Sequence, residues 1–171
     1  TKPRGEVSTD LTIIADELTA KLRIAAVANP GPLREAAIPL PDIGKPTVQN
    51  GHPVVIIAIS TGGPAALSKI VPAFPIDMRA SVVIVQHMPA QFTTALAERL
   101  DAVSAVGVCE ASHGDVPKPG IVYVAPGDRH LVIDESGRFE VNEDPPVNGC
   151  RPSGDRTMES AALQYGRHCI G

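Results

Sequence analysis

The chain has no tryptophan, and aromatic side chains of all kinds make up only 3% of its 171 residues. Its core must therefore be aliphatic, and it lacks the flat faces on which single-stranded nucleic acid stacks. Positive charge is also short: 15 Lys and Arg stand against 19 Asp and Glu, for a net charge of −4. With no basic run, no nucleic-acid partner is expected. There are three cysteines, Cys109, Cys150 and Cys169, an odd number with no C-x-x-C spacing. That pattern argues against a disulfide framework or a metal site, and for a reduced, cytoplasmic chain. No apolar run approaches the roughly 18 residues that span a bilayer, so no membrane insertion is expected. The opening Thr1-Lys2-Pro3-Arg4-Gly5 lacks the apolar centre of a signal peptide.

What is present reads as globular, with 43% hydrophobic and 20% charged residues. The length suits one domain, or one domain with an arm. Residues 1–50 are weakly patterned. Leu11, Ile14, Leu18, Leu22 and Ala25 recur at helical spacing and predict a helix over Ile14–Ala28, stopped by Asn29-Pro30-Gly31-Pro32. The proline-rich stretch that follows, to residue 52, reads as a linker with no core of its own.

From Pro53 onward strands and helices alternate. Val54–Ile59 is a continuous apolar run rich in β-branched residues, as expected of a strand buried on both faces, and Ser81–Gln86 reads as a second buried strand. Helices are predicted over Pro64–Val71 and Gln91–Leu100, and a weaker strand over Ala105–Cys109. Val122–Val124, His130–Ile133 and Phe139–Val141 are short and separated by turn residues, and they suggest a small antiparallel hairpin or meander. Ser153 caps a helix running to Tyr165, and His168–Gly171 has the look of the start of a strand. The expected fold is α/β: a mostly parallel, doubly wound, Rossmann-like α/β/α sheet with a small antiparallel insertion.

Function in such sheets gathers at the carboxyl ends of the strands. Val54–Ile59 ends at Ser60, and Ser81–Gln86 ends at His87. If these strands are neighbours, a hydroxyl and an imidazole emerge at one edge, as a serine hydrolase requires. The intervening Thr61-Gly62-Gly63 would let the backbone approach a substrate closely, and the amides of the following helix point toward a developing oxyanion. The plain alternative is a Gly-rich connection in which a serine happens to stand. S-T-G-G-P matches neither dinucleotide- nor phosphate-binding glycine loops. It also departs from the G-x-S-x-G elbow, because Ala58 occupies the first glycine position. The other histidines, His52, His113, His130 and His168, fall in loops or at element edges, where contact with solvent is expected.

Several motifs, in order, carry a more specific signal: "AISTGGPAAL", "VVIVQHMPAQFTTALAERL", "GDVPKPGIVYVAPGDRHL", "PPVNGCRPSGD" and "GRHCIG". Over about residues 53–171 the chain resembles the catalytic domain of the chemotaxis-receptor methylesterase family (CheB). The resemblance implies hydrolysis of glutamate methyl esters on chemoreceptors, and deamidation of certain receptor glutamines, without a cofactor. It assigns Ser60 as nucleophile and His87 as general base. Thr61, Gly62, Gly63 and Met88 become oxyanion or supporting residues. The implied partner is the cytoplasmic domain of a methylated chemoreceptor. The family's usual glycine two residues before the serine is Ala58 here.

Residues 1–28 resemble the tail of a regulatory receiver domain, with Lys2 in place of the lysine that contacts its phosphoryl group. The organisation expected is therefore 1–28 receiver tail, 29–52 linker, and 53–171 catalytic domain, with the chain's own receiver as a further partner. The resemblance puts the receiver's phosphorylated aspartate before Thr1 and the third catalytic residue, an aspartate, after Gly171, so the chain reads as incomplete at both ends. Asp155, Asp128 and Asp144 are the acids nearest in the motifs that could replace it, and Asp155 reads as a helix-start residue. Neutralising that aspartate in serine proteases lowers the rate about 10⁴-fold, or roughly 5.5 kcal/mol. A weak or inactive chain is thus expected from these residues alone. A non-catalytic receptor- or receiver-binding module and an esterase for small esters are the alternatives.

Overall fold

The computed structural model describes Thr19, Arg23 and residues 51–171. Of the helix expected over Ile14–Ala28, Thr19 and Arg23 are helical and exposed; its other residues, and the linker to Asn50, lie outside the described residues.

The apolar runs form strands where the sequence places them. Strand β1 is Val54–Ile59 and β2 is Ser81–Gln86, every residue of which is buried. Between them, α1 (Gly63–Ile70) begins with a proline in its first turn, where the absent N–H is no loss, and passes into a 3-10 turn at Val71–Ala73. Helix α2 is Ala90–Asp101, β3 is Gly107–Glu110, and β4 is Ile121–Val124. The hairpin strands are β5 (His130–Ile133) and β6 (Phe139–Asn142). Helix α3, Gly154–Tyr165, is capped by the Ser153 side chain, which accepts from the Arg156 N–H, and β7 is Cys169–Ile170.

The strands make a five-stranded sheet in the order β3-β4-β2-β1-β7, parallel at each pairing, and a separate antiparallel pair β5-β6. The expected α/β fold is therefore the one found, with one correction. Val122–Val124 does not join the antiparallel meander: β4 lies inside the parallel sheet, between β2 and β3. Val122, Tyr123 and Val124 are buried because both faces are covered. The β3–β4 connection, residues 111–120, contains no helix. A parallel crossover usually carries one, so the sequence lacked the helical signal that marks such strands.

Alternation along each strand divides the core in two. Val82, Ile84, Val122 and Val124 face α1 and α2, meeting Leu67, Leu96 and Leu100. Val54, Ile56, Val83, Val85 and Tyr123 face the other way, meeting Leu131, Phe139, Ala161 and Tyr165 from the hairpin and α3. The period of two thus builds three layers from one set of strands. Among the described residues, no helix is long and apolar enough to cross a membrane.

Candidate active site

Strands β1 and β2 pair in register, with Ile59 opposite Gln86. The next residues are Ser60 and His87, so both leave the sheet at the same edge on adjacent strands, which lie about 4.8 Å apart. The His87 N–H donates to the Ile59 carbonyl at 3.2 Å, carrying the ladder to the histidine itself. The edge is also where the strand order turns: β2 follows β1 on one side and β7 lies on the other. In open α/β sheets that crevice is where ligands bind.

The chain after β1 turns sharply into α1. The Gly63 N–H donates to the Ser60 carbonyl at 2.8 Å, and Gly62 takes φ of 83°, a left-handed geometry that glycine adopts without strain. Ser60, Thr61 and Gly62 are exposed, while Gly63 is buried. The two glycines serve different needs. At Gly63 a Cβ would run into the Oε1 and Cδ atoms of Gln86, so this glycine makes room for a side chain beneath it rather than for a substrate above.

His87 and Met88 are half-buried. The segment they begin is pinned by the loop after β4. The Gly127 N–H donates to Thr93 Oγ1 at 3.1 Å, and a Cβ on Gly127 would meet the Met88 carbonyl and the Ala90 backbone. The Ala90 N–H in turn donates to an Asp128 carboxylate oxygen at 3.4 Å. Beside this segment, Pro64, Met88, Phe92 and Arg99 help line a groove of about 280 Å³. Glu110, His113, Gly127 and Arg129 line part of a cleft of about 380 Å³ at the ends of β3 and β4.

Ser60, Thr61, Gly62, Gly63, His87 and Met88 thus all lie at one edge of the sheet. The other acids have separate attachments. Asp128 accepts from Ala90 as above, Asp144 pairs with Arg156 at 2.8 Å, and Asp155 is exposed in the first turn of α3. That turn approaches β1 closely: a Cβ on Gly154 would stand 2.6 Å from the Ala58 Cβ.

Two histidines depart from the expected contact with solvent. His130 is fully buried; its Nδ1 accepts from the Ser153 N–H and its Nε2 lies 3.2 Å from the Pro145 carbonyl, to which it donates. It ties β5 to the cap of α3. His52 stacks edge-on against Tyr165, with ring centroids 6.0 Å apart, and burial holds its pKa below the ordinary imidazole value. Neither contact follows from local pattern, since each is made across the fold. Among the described residues no group of three or more potential metal-ligating side chains forms.

The family model described as CheB methylesterase matches residues 55–171. The chain belongs to the CheB methylesterase family. It is 40% identical, over 99% of its length, to the protein-glutamate methylesterase/protein-glutamine glutaminase of Symbiobacterium thermophilum, covering 51% of that protein. The same identity and share of this chain hold for the Pyrococcus horikoshii protein of that name, of which 48% is covered. Against the crystal structure of the Thermotoga maritima CheB methylesterase catalytic domain, the TM-score is 0.66 at 42% identity, covering 69% of this chain and 64% of that one. The chain spans about half the length of the curated relatives it matches. Within the CheB family frame, the parallel sheet and its antiparallel pair are those of the catalytic domain.

Proposed function

We propose that residues 53–171 carry the core of a carboxylic ester hydrolase that acts on glutamate methyl esters of proteins and deamidates glutamine side chains by the same route. The observation that supports this most is the register of β1 and β2, which sets Ser60 and His87 side by side at the strand-order turn.

In this mechanism the Ser60 hydroxyl attacks the ester carbonyl while His87 accepts its proton. The tetrahedral oxyanion is held by the Thr61 and Gly62 N–H groups at the mouth of α1; the Gly63 N–H is engaged with the Ser60 carbonyl. One such donor is typically worth about 3 kcal/mol in the transition state. Collapse breaks the bond to the methoxy oxygen, and His87 returns the proton to release methanol. Water then attacks the acyl-serine with His87 again as base, yielding a glutamate carboxylate and free Ser60. Met88 supports the site as part of the wall beside Pro64.

A carboxylate that orients the His87 imidazole completes such a mechanism. The substrate is the cytoplasmic domain of a methylated chemoreceptor, the site of action is the cytoplasm, and residues 1–28 form the tail of a receiver joined by the linker 29–52.

The test is methanol release from methylated receptor by the full-length protein and by its Ser60→Ala and His87→Gln variants. Each substitution is expected to lower kcat at least about 10³-fold. Parental turnover by Ser60→Ala would sink the assignment. Receptor binding without hydrolysis by the parent would favour a binding module instead.

A further inference from the structure

We infer that Gln86 is a positioning residue that locks the backbones of Ser60 and His87 to each other; this rests on the reading of those two residues as nucleophile and base. Gln86 is the last residue of β2 and is 2% exposed. Its Nε2 lies 3.2 Å from the Ser60 carbonyl and 3.2 Å from the His87 carbonyl. Both neighbours are acceptors, so only the NH₂ end of the amide can face them, and each of its two hydrogens goes to one carbonyl. The Ser60 carbonyl then has both lone pairs in use, one by Gln86 and one by the Gly63 N–H at 2.8 Å. His87 is fixed on both sides, its N–H by Ile59 and its carbonyl by Gln86.

The other end of the amide is not paired in this way. Among the described residues Gln86 Oε1 is buried with no hydrogen-bond partner, and it occupies the space that a Cβ at Gly63 would need. A buried acceptor left unpaired is a cost a fold seldom keeps. Here it accompanies a clamp that ties two strand ends together where the hydroxyl and the imidazole must meet. The same contact accounts for the second glycine of the S-T-G-G run.

The test uses the full-length protein with Gln86→Met, which keeps the length of the side chain and loses both donors together with the unpaired oxygen. The Ser60 carbonyl keeps the Gly63 N–H and the half-buried His87 carbonyl loses its partner, so the melting temperature is expected to fall by only a few degrees, with the chain still folded at the assay temperature. We expect kcat for methyl-ester hydrolysis, and the rate at which a fluorophosphonate labels Ser60, to fall about 10- to 100-fold, with KM within about twofold. Gly63→Ala displaces the amide from the opposite side with Gln86 retained, and the same split between kcat and KM is expected. Parental kcat and labelling in either variant would overturn the inference. So would a fall in kcat matched by an equal fall in the folded fraction, which would make Gln86 merely structural. If Ser60→Ala itself retains turnover and Ser60 is not labelled, the underlying assignment fails; if Ser60→Ala is inactive and Gln86→Met behaves as the parent, only this inference does.

Discussion

Replacing Gly154 by alanine puts the contact between α3 and β1 under direct load. The added methyl would stand 2.6 Å from the Ala58 Cβ. Carbon atoms pack best at about 3.5–4.0 Å, so roughly 1 Å of separation is missing. Neither side gives easily. Ala58 lies in β1, in register with Val85 of β2. The start of α3 is held by Thr157 Oγ1, which donates to the Leu131 carbonyl at 2.6 Å, and by the Ser153 N–H on His130. Overpacking of this kind costs about 1–3 kcal/mol. Alanine's better helix propensity offsets at most about 1 kcal/mol. A net loss of about 1–2 kcal/mol is expected, or roughly 3–6 °C in melting temperature at this chain size. The companion change Ala58→Gly removes the obstructing methyl and alone costs about 0.5–1 kcal/mol through strand entropy. The double variant should therefore be more stable than the sum of the singles by the relieved overpacking, about 1–3 kcal/mol. Urea unfolding followed by circular dichroism gives all four corners of the cycle. Additivity within about 0.5 kcal/mol would refute the claim that these two positions share one space.

Other substitutions probe the remaining contacts. His130→Ala leaves the Ser153 amide and the Pro145 carbonyl unpaired and opens a cavity in a fully buried site; a loss of about 3–4 kcal/mol in chemical denaturation is expected. His52 has its pKa lowered chiefly by burial, against a smaller opposing effect of a hydrogen bond with the Pro117 backbone. The fold therefore favours neutral His52, and its contribution is present above about pH 6.5 and is lost as pH falls through that value toward the depressed folded pKa. His52→Gln should flatten the stability–pH curve over that range, and an unchanged slope would show that the ring carries no linkage.

Much of the architecture was legible because burial on both faces writes β-branched runs, as in the fully buried Ser81–Gln86; Val54–Ile59 carries the same texture although its Ala58 is exposed. The placement of Ser60 and His87 at one sheet edge was legible for the same reason: each directly follows the end of such a strand. What the sequence hid was made by tertiary contact. Strand β4 is only four residues long and arrives by a helix-free crossover, so its local texture resembled that of the hairpin that follows. His130 opens the apolar run Leu131–Ile133, but a histidine at the end of a run gives no sign of full burial; its two partners come from Pro145 and Ser153. The second glycine of S-T-G-G suggested close approach of a substrate, whereas the group pressing on Gly63 is the Gln86 amide, from another strand. Side chain–to–backbone bonds between elements have no period, and a sequence scan for periods passes over them.

The proposed chemistry turns on covalent acylation of Ser60. Mass spectrometry of the full-length protein, quenched during turnover of a slowly hydrolysed methyl or activated ester, tests it directly. An acyl adduct is expected on the peptide containing Ser60-Thr61-Gly62-Gly63, absent from the Ser60→Ala variant and accumulating in a His87→Gln variant treated with the activated ester. An adduct on any other residue, or full turnover by Ser60→Ala with no adduct at all, would contradict it.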